Sequence, residues 1–258
     1  MIHRSWPGVW ALALGLSLGA PVGRAAPDEE GAPPAERVPR GDGRAGDGRA
    51  DDGAQDASPE VRAFLSAWGE RMRDVRTLRV EFVQTKKLRI LRRPLVSRGT
   101  TLLRGERVLM TVRDAEGAVE TALLVSDGEA RLHVPRLARV EVYPLGKGAP
   151  PPTPFPLFGA DLDRLPDAYR LRLEEVQGDP VLVLEPRAAD SPIVETRMRF
   201  RDYVVRQVTQ RTRRGDALEL EVTAFERNAD LSGERLELEV GPETEVVYPL
   251  GAPAGAGQ

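Results

Sequence analysis

From Leu78 onward the chain repeats apolar and polar residues with a period of two, and it does so almost to its end. Leu78, Val80 and Phe82 alternate with Arg79 and Glu81. Val108, Met110 and Val112 follow the turn Arg104-Gly105-Glu106. Val119, Thr121, Leu123 and Val125 follow Asp114-Ala115-Glu116-Gly117, and Ser126-Asp127-Gly128-Glu129 is a strong hairpin turn. Further strands are expected at 131–134, 139–143, 169–175, 181–185, 194–200, 204–212, 217–225, 235–240 and 245–248. Strands at this spacing imply a mainly β (α+β) fold: one large antiparallel sheet of about ten strands with one apolar and one polar face. Before them, Val61, Phe64, Leu65, Trp68, Met72 and Val75 form one stripe of a 3.6-residue period. Ser58-Pro59-Glu60 supplies a capping serine, a proline at the first helical position and an acid in the first turn. One amphipathic helix must therefore bury its stripe against the sheet.

Composition narrows the function. The 258 residues carry 37 Lys+Arg against 40 Asp+Glu, a formal net charge of -3, which argues against a dedicated nucleic-acid binder. The absence of cysteine excludes disulfides, thiolate metal sites, a cysteine nucleophile and a lipid-modified N-terminal cysteine. There are 2 histidines, His3 and His133, too few for most hydrolytic metal sites or nucleophile–base pairs. His133 sits alone on a strand, where a structural or solvated imidazole is the ordinary reading. No catalytic residue, metal or cofactor is expected.

Residues 1–25 read as a secretory signal: His3 and Arg4, an apolar run from Val9 to Leu18, then Gly23-Arg24-Ala25 with cleavage near Ala25. The run is shorter than a bilayer requires. Residues 26–58 form a linker whose single large aliphatic residue is Val38. Gly41-Asp42-Gly43-Arg44-Ala45 repeats at once as Gly46-Asp47-Gly48-Arg49-Ala50. So little apolar surface cannot offset the entropy of ordering. The spaced carboxylates Asp42, Asp47, Asp51 and Asp52 lack the closing Glu of a calcium loop. A folded domain over 59–250 and a flexible tail over 251–258 complete the chain.

Two stretches carry a choice. Arg197, Arg199 and Arg201 alternate with Met198 and Phe200, while Glu219 and Glu221 alternate with Leu218 and Leu220. Opposite charges paired across strands are the plainer explanation; a basic docking strip from Arg197 to Arg214 is the sharper one. In residues 144–165, four prolines between Pro150 and Pro154 exclude a ladder strand, and Phe155, Leu157, Phe158, Leu162 and Leu165 bring apolar bulk to a short helix. A long loop of this kind set into an antiparallel sheet often serves as a lid. A curved sheet covered by one helix and such a loop leaves either a hydrophobic cavity suited to acyl chains or a filled core. Periodicity alone does not choose between them.

Several short motifs now fall into order. Phe82-Val83-Gln84 follows the helix. Gly99-Thr100-Thr101-Leu102-Leu103-Arg104 makes a glycine-to-arginine strand, and Val125-Ser126-Asp127-Gly128 is followed by Pro135. Thr153-Pro154-Phe155-Pro156-Leu157 opens the loop segment, and Asn228, Leu231 and Pro242 close the pattern. Together they resemble the periplasmic outer-membrane lipoprotein carrier family across most of residues 59–250. Arg104 is followed by Gly105 where the family has proline, and Val108 and Met110 stand where it has an aromatic pair, so the chain resembles a divergent member.

The resemblance implies an open half-barrel with the helix and a lid over an apolar concave face. It implies acyl-chain lining by Phe82, Val108, Met110, Leu123, Leu132, Phe155, Leu157 and Phe158, and lid closure through hydrogen bonds from Arg104. It further implies a monomer in the periplasm whose partners are acylated lipoproteins or other lipids, an inner-membrane release complex and an outer-membrane receptor, with no nucleic acid. An acyl-chain-sensing regulator of envelope stress on the same fold and a non-binding structural envelope module are the rival readings.

Overall fold

The computed structural model describes residues 57–145, 162 and 165–249. The expectations for the signal segment, most of the linker, the tail, and the lining positions Phe155, Leu157 and Phe158 lie outside the described residues.

Helix α1 spans Pro59–Met72, with Ser58 Oγ accepting the Val61 N–H at 3.3 Å. Its stripe of Val61, Phe64, Leu65, Trp68 and Met72 is buried. The strands are β1 (Thr77–Lys87), β2 (Leu95–Arg104), β3 (Arg107–Arg113), β4 (Val119–Ser126), β5 (Glu129–Val134) and β6 (Arg139–Pro144). After a short helix α2 (Leu165–Ala168) come β7 (Tyr169–Val176), β8 (Asp179–Pro186), β9 (Ile193–Arg201), β10 (Val204–Thr212), β11 (Ala217–Arg227) and β12 (Glu245–Val247). The β4–β5 turn places Asp127 at φ 53° and Gly128 at φ 74°, the two positive φ values that a two-residue hairpin turn requires.

All twelve strands lie in one open, curved sheet of order β12-β6-β5-β4-β3-β2-β1-β11-β10-β9-β8-β7. Hairpins pair antiparallel. The exception to the expected antiparallel pattern is β12, which lies parallel to β6. Curvature shows in an ion pair between Lys86 of β1 and Glu120 of β4. Two strands separate them, which in a flat sheet would hold β1 and β4 about 14 Å apart.

Two expectations need correction. Residues 235–240 form no strand. The reason is topological: β11 already has β1 and β10 on its two sides, so the chain leaving it finds no free edge. It runs instead from β11 towards β12, past the six strands that lie between them. The second correction concerns the polar face. Leu231 and Leu236 of this crossing segment pack on Leu102, Leu109 and Leu124, making a second apolar cluster on the outer side of the sheet. Those three leucines are direct ladder neighbours on β2, β3 and β4. The apolar alternation of residues 235–240 is real, and it serves packing rather than pairing.

Candidate functional site

The main core lies on the inner face. In β1, Leu78, Val80 and Phe82 point inward. The ladder carries their rows across the sheet: Val80 opposite Thr101, then Met110, Leu123, Leu132 and Glu141; Leu78 opposite Leu103, then Val108, Val125, Ala130 and Tyr143. Five of the expected lining residues, Phe82, Val108, Met110, Leu123 and Leu132, are thus brought together and buried in one cluster with α1. Leu162 and Leu165, at the end of the proline-containing segment, join the same cluster.

Phe82 explains a glycine. A Cβ built on Gly99 would stand 2.1 Å from the Phe82 ring, closer than any real contact allows. The ring occupies the space a side chain at Gly99 would need, and the two residues are ladder partners, so the Phe-x-Gln strand and the glycine on the next one form a single packing unit.

The two halves of the inner face differ in kind. Over β9 and β10 the helix supplies rings: Trp68 meets Phe200 at 4.9 Å between centroids, Phe64 meets Phe200 at 5.0 Å and Tyr203 at 5.5 Å. The edge-to-face geometry of the two Phe200 pairs is the favoured one for aromatic groups. Over β2–β5 the inward side chains are mainly aliphatic, Val108, Met110, Val112, Leu123, Val125 and Leu132, with Thr101 and Thr121 among them. Dispersion contact with such a surface suits a hydrocarbon chain as well as it suits a neighbouring side chain.

At the β6 end of these rows stand two polar groups that sequence reasoning missed, Glu141 and Tyr143. Glu141 is buried on the inner face opposite Leu132. Tyr143 Oη donates to Glu141 Oε2 at 2.7 Å and Arg139 Nη1 donates to Glu141 Oε1 at 3.4 Å. Burial, reinforced by the bond to the carboxylate, pushes the Tyr143 phenol well above its ordinary range. The available signal was the alternation Val140-Glu141-Val142-Tyr143, in which Tyr143 marks the inward parity and carries Glu141 with it.

Arg104 sits at the end of β2 on the outer side. Its guanidinium donates to the Leu231 carbonyl and, at 3.3 Å, to that of Glu234. Its partners among the described residues are therefore in the segment crossing the outer face. Nearby, Arg79 pairs with Glu234 at 2.7 Å, and the Asn228 side chain accepts the Arg76 N–H at 2.9 Å. The motif residues Arg104, Asn228 and Leu231 thus belong to one construction, the anchoring of this segment.

The charged strip on β9 resolves into pairs. Arg197 meets Glu174 at 2.6 Å, Arg172 meets Glu174 at 2.7 Å and Glu185 at 2.9 Å, and Arg201 meets Asp179 at 3.1 Å. The Arg197 hydrogen bond, with help from Arg172, holds the Glu174 carboxyl below its usual range. His133 lies on the outer side between Ala122 and Val140, buried, and burial lowers its pKa.

A family model described as outer membrane lipoprotein carrier protein LolA matches residues 73–237. The chain belongs to the LolA family. The match runs from Arg73, directly after α1, through Glu237, so it takes in the aliphatic rows and the anchoring of the crossing segment. No curated protein matches the sequence. Among solved structures the chain is similar to an uncharacterised conserved protein of Thermus thermophilus, at 12% identity over 73% of this chain and 99% of that one, TM-score 0.43. It is also similar to the Pseudomonas aeruginosa MucA/MucB complex (16%, 73% and 63%, TM-score 0.40) and to the Mycobacterium tuberculosis lipoprotein LppX (10%, 67% and 99%, TM-score 0.37). Likenesses this distant carry no functional argument.

Proposed function

We propose that this LolA-family protein is a periplasmic carrier that shields the acyl chains of lipoproteins or other lipids against its inner face and moves them towards the outer membrane. One observation carries the reading. In a family of lipoprotein carriers, Val108, Met110, Leu123 and Leu132 stand on neighbouring strands of this chain's inner face as an aliphatic patch, within the cluster that α1 also joins, suited to packing against an acyl chain. An acyl chain gains roughly 0.8 kcal/mol for each CH₂ removed from water, so it does not cross an aqueous space unshielded. Transfer makes and breaks no covalent bond, and the reading assigns no catalytic residue. Loading from an inner-membrane release complex and delivery to an outer-membrane receptor are parts of the same proposal.

The experiment is binding of a fluorescent fatty-acid probe to the purified mature protein, with an acylated peptide as competitor. Saturable binding displaced by the peptide is the expected result. No binding by any acyl probe would leave a structural module and end the carrier reading.

A further inference from the structure

We propose that the tip of the β1–β2 hairpin docks this protein on an anionic lipid bilayer surface. The inference is independent of what the inner face holds.

From Lys86 to Arg98 the sequence contains Lys86, Lys87, Arg89, Arg92, Arg93 and Arg98, six cations, and no Asp or Glu. Interleaved with them are the most concentrated exposed apolar side chains of the described residues: Ile90 is 70% exposed, Leu91 42%, Leu95 46% and Val96 53%. Isolated exposed aliphatics are ordinary, but a contiguous group rimmed by charge marks an interaction site. The backbone makes the group protrude. Leu95 pairs with Lys86 on β1, whereas β3 ends at Arg113, opposite Arg98. Leu95, Val96 and Ser97 therefore overhang β3 by about 10 Å of strand.

The tip is held firmly at its base. Asp216 Oδ1 accepts the Arg89 N–H at 2.8 Å, Arg89 Nη1 donates to the Arg214 carbonyl at 3.2 Å, and Leu91 N donates to the Leu88 carbonyl at 3.0 Å. The carboxylates at this end of the sheet are mostly engaged elsewhere. Glu120 and Glu219 pair with Lys86 and Lys87 at the root, and Asp114 accepts the N–H groups of Glu116 and Ala118. Glu116 is exposed on the β3–β4 turn. Among the described residues, Arg92 and Arg93 have no ion pair. They stand between the Ile90–Leu91 and Leu95–Val96 pairs where the hairpin turns. Apolar side chains at the point of a loop, with unpaired arginines beside them, match the two layers of a bilayer surface: hydrocarbon below, anionic headgroups above.

The test is co-sedimentation of the mature chain, from Ala26, with vesicles of phosphatidylglycerol and, separately, phosphatidylcholine. Binding to phosphatidylglycerol that weakens with added salt, and none to phosphatidylcholine, is expected. Arg92→Ala/Arg93→Ala should lose roughly thirtyfold in vesicle affinity, since each basic residue near an anionic surface contributes roughly fivefold and the two factors multiply. Ile90→Ser/Leu91→Ser should also bind more weakly while keeping its salt dependence. These side chains are solvated, so both variants should melt with the parent protein and bind the fatty-acid probe unchanged in vesicle-free solution. Absent binding to phosphatidylglycerol, equal binding to both lipids, or hairpin variants that bind like the parent would each overturn the proposal. Loss of probe binding in the parent chain would count against the carrier reading alone.

Discussion

Met110 and Met198 carry the same side chain on the same face of the same sheet, and their surroundings differ. Met198 lies on β9 between Val208 and Leu182 and is completely buried in the half of the inner face where the helix rings pack. Met110 lies on β3 between Thr101 and Leu123, in the aliphatic half. Rings locked edge to face have few alternative arrangements, whereas valine, leucine and methionine adapt to the shape laid against them. Both halves belong to one buried cluster; on the proposed carrier reading, the ring-packed half is the structural core and the aliphatic half is the one that makes way for cargo.

A pair of identical substitutions puts the largest strain on this comparison. Met198→Glu places a carboxylate amid the ring cluster, where it costs several kcal/mol and should unfold the domain. Met110 is also buried, but on the proposed carrier reading its aliphatic surroundings open to take cargo, so Met110→Glu should cost less stability than Met198→Glu, keep the parent circular dichroism and abolish fatty-acid probe binding. Unfolding of both variants would show that the aliphatic half is ordinary core. Trp68→Ala belongs to the same contrast: it should lower stability by about 3–5 kcal/mol, read in urea unfolding, because it empties the centre of the ring cluster.

Gly99 sharpens the boundary between the halves, since Phe82 stands on β1 where they meet. Gly99→Ala forces the Phe82 ring away, a displacement that overpacked cores resist by about 1–3 kcal/mol. The double variant Gly99→Ala/Phe82→Leu should recover most of that loss in a double-mutant cycle, because it removes the group that clashes. Independent, additive effects would contradict the packing unit described for these two residues.

Arg104→Leu has a smaller expected effect. The guanidinium is partly exposed, and its loss removes hydrogen bonds to two carbonyls of the crossing segment, about 1 kcal/mol in total. Amide exchange in residues 229–237 should quicken while the β8–β11 amides stay protected. Slower transfer of cargo in this variant would tie Arg104 to the function as the family resemblance implies. Unchanged transfer, with faster exchange, would make it an anchor for the segment alone.

How far these features could be read from the chain follows from the range of the forces involved. Helix α1 was legible because its cap and stripe are local: Ser58, Pro59 and the spacing of Val61 to Met72 act within one element. The hairpins were legible for the same reason, as was the inward set Phe82, Val108, Met110, Leu123 and Leu132, since parity along a strand is fixed by the pleat. Residues 235–240 were misread because alternation reports which side chains are buried and not whether the backbone has an edge to pair with. The position of β11 between β1 and β10 settles that, and no local signal encodes it. Likewise the partners of Arg104 lie 127 and 130 residues away in sequence. The exposed hairpin tip was not read from the sequence at all: its mix of basic and aliphatic residues suits a strand end as well, and only its overhang beyond β3 separates the two.

His133 supplies the finest probe of the outer face. Its imidazole is buried between strands that carry Ala122 and Val140 as its ladder neighbours, and desolvation lowers its pKa beneath the ordinary value near 6.5. The unfolded chain therefore takes up a proton at a higher pH than the folded one. Between the unfolded value and the depressed folded value the unfolded state binds more protons, so stability is complete above about pH 6.5 and declines as the pH falls through that window. The parent protein should melt at a lower temperature at about pH 5.5 than at about pH 7.5 by more than His133→Leu does, the difference between the two slopes isolating this one group from the carboxylates that titrate below it. Parallel pH profiles for parent and variant would mean that the imidazole reaches water in the folded protein, and that the outer face over β4–β6 is less well covered than Leu231 and Leu236 make it over β2–β4.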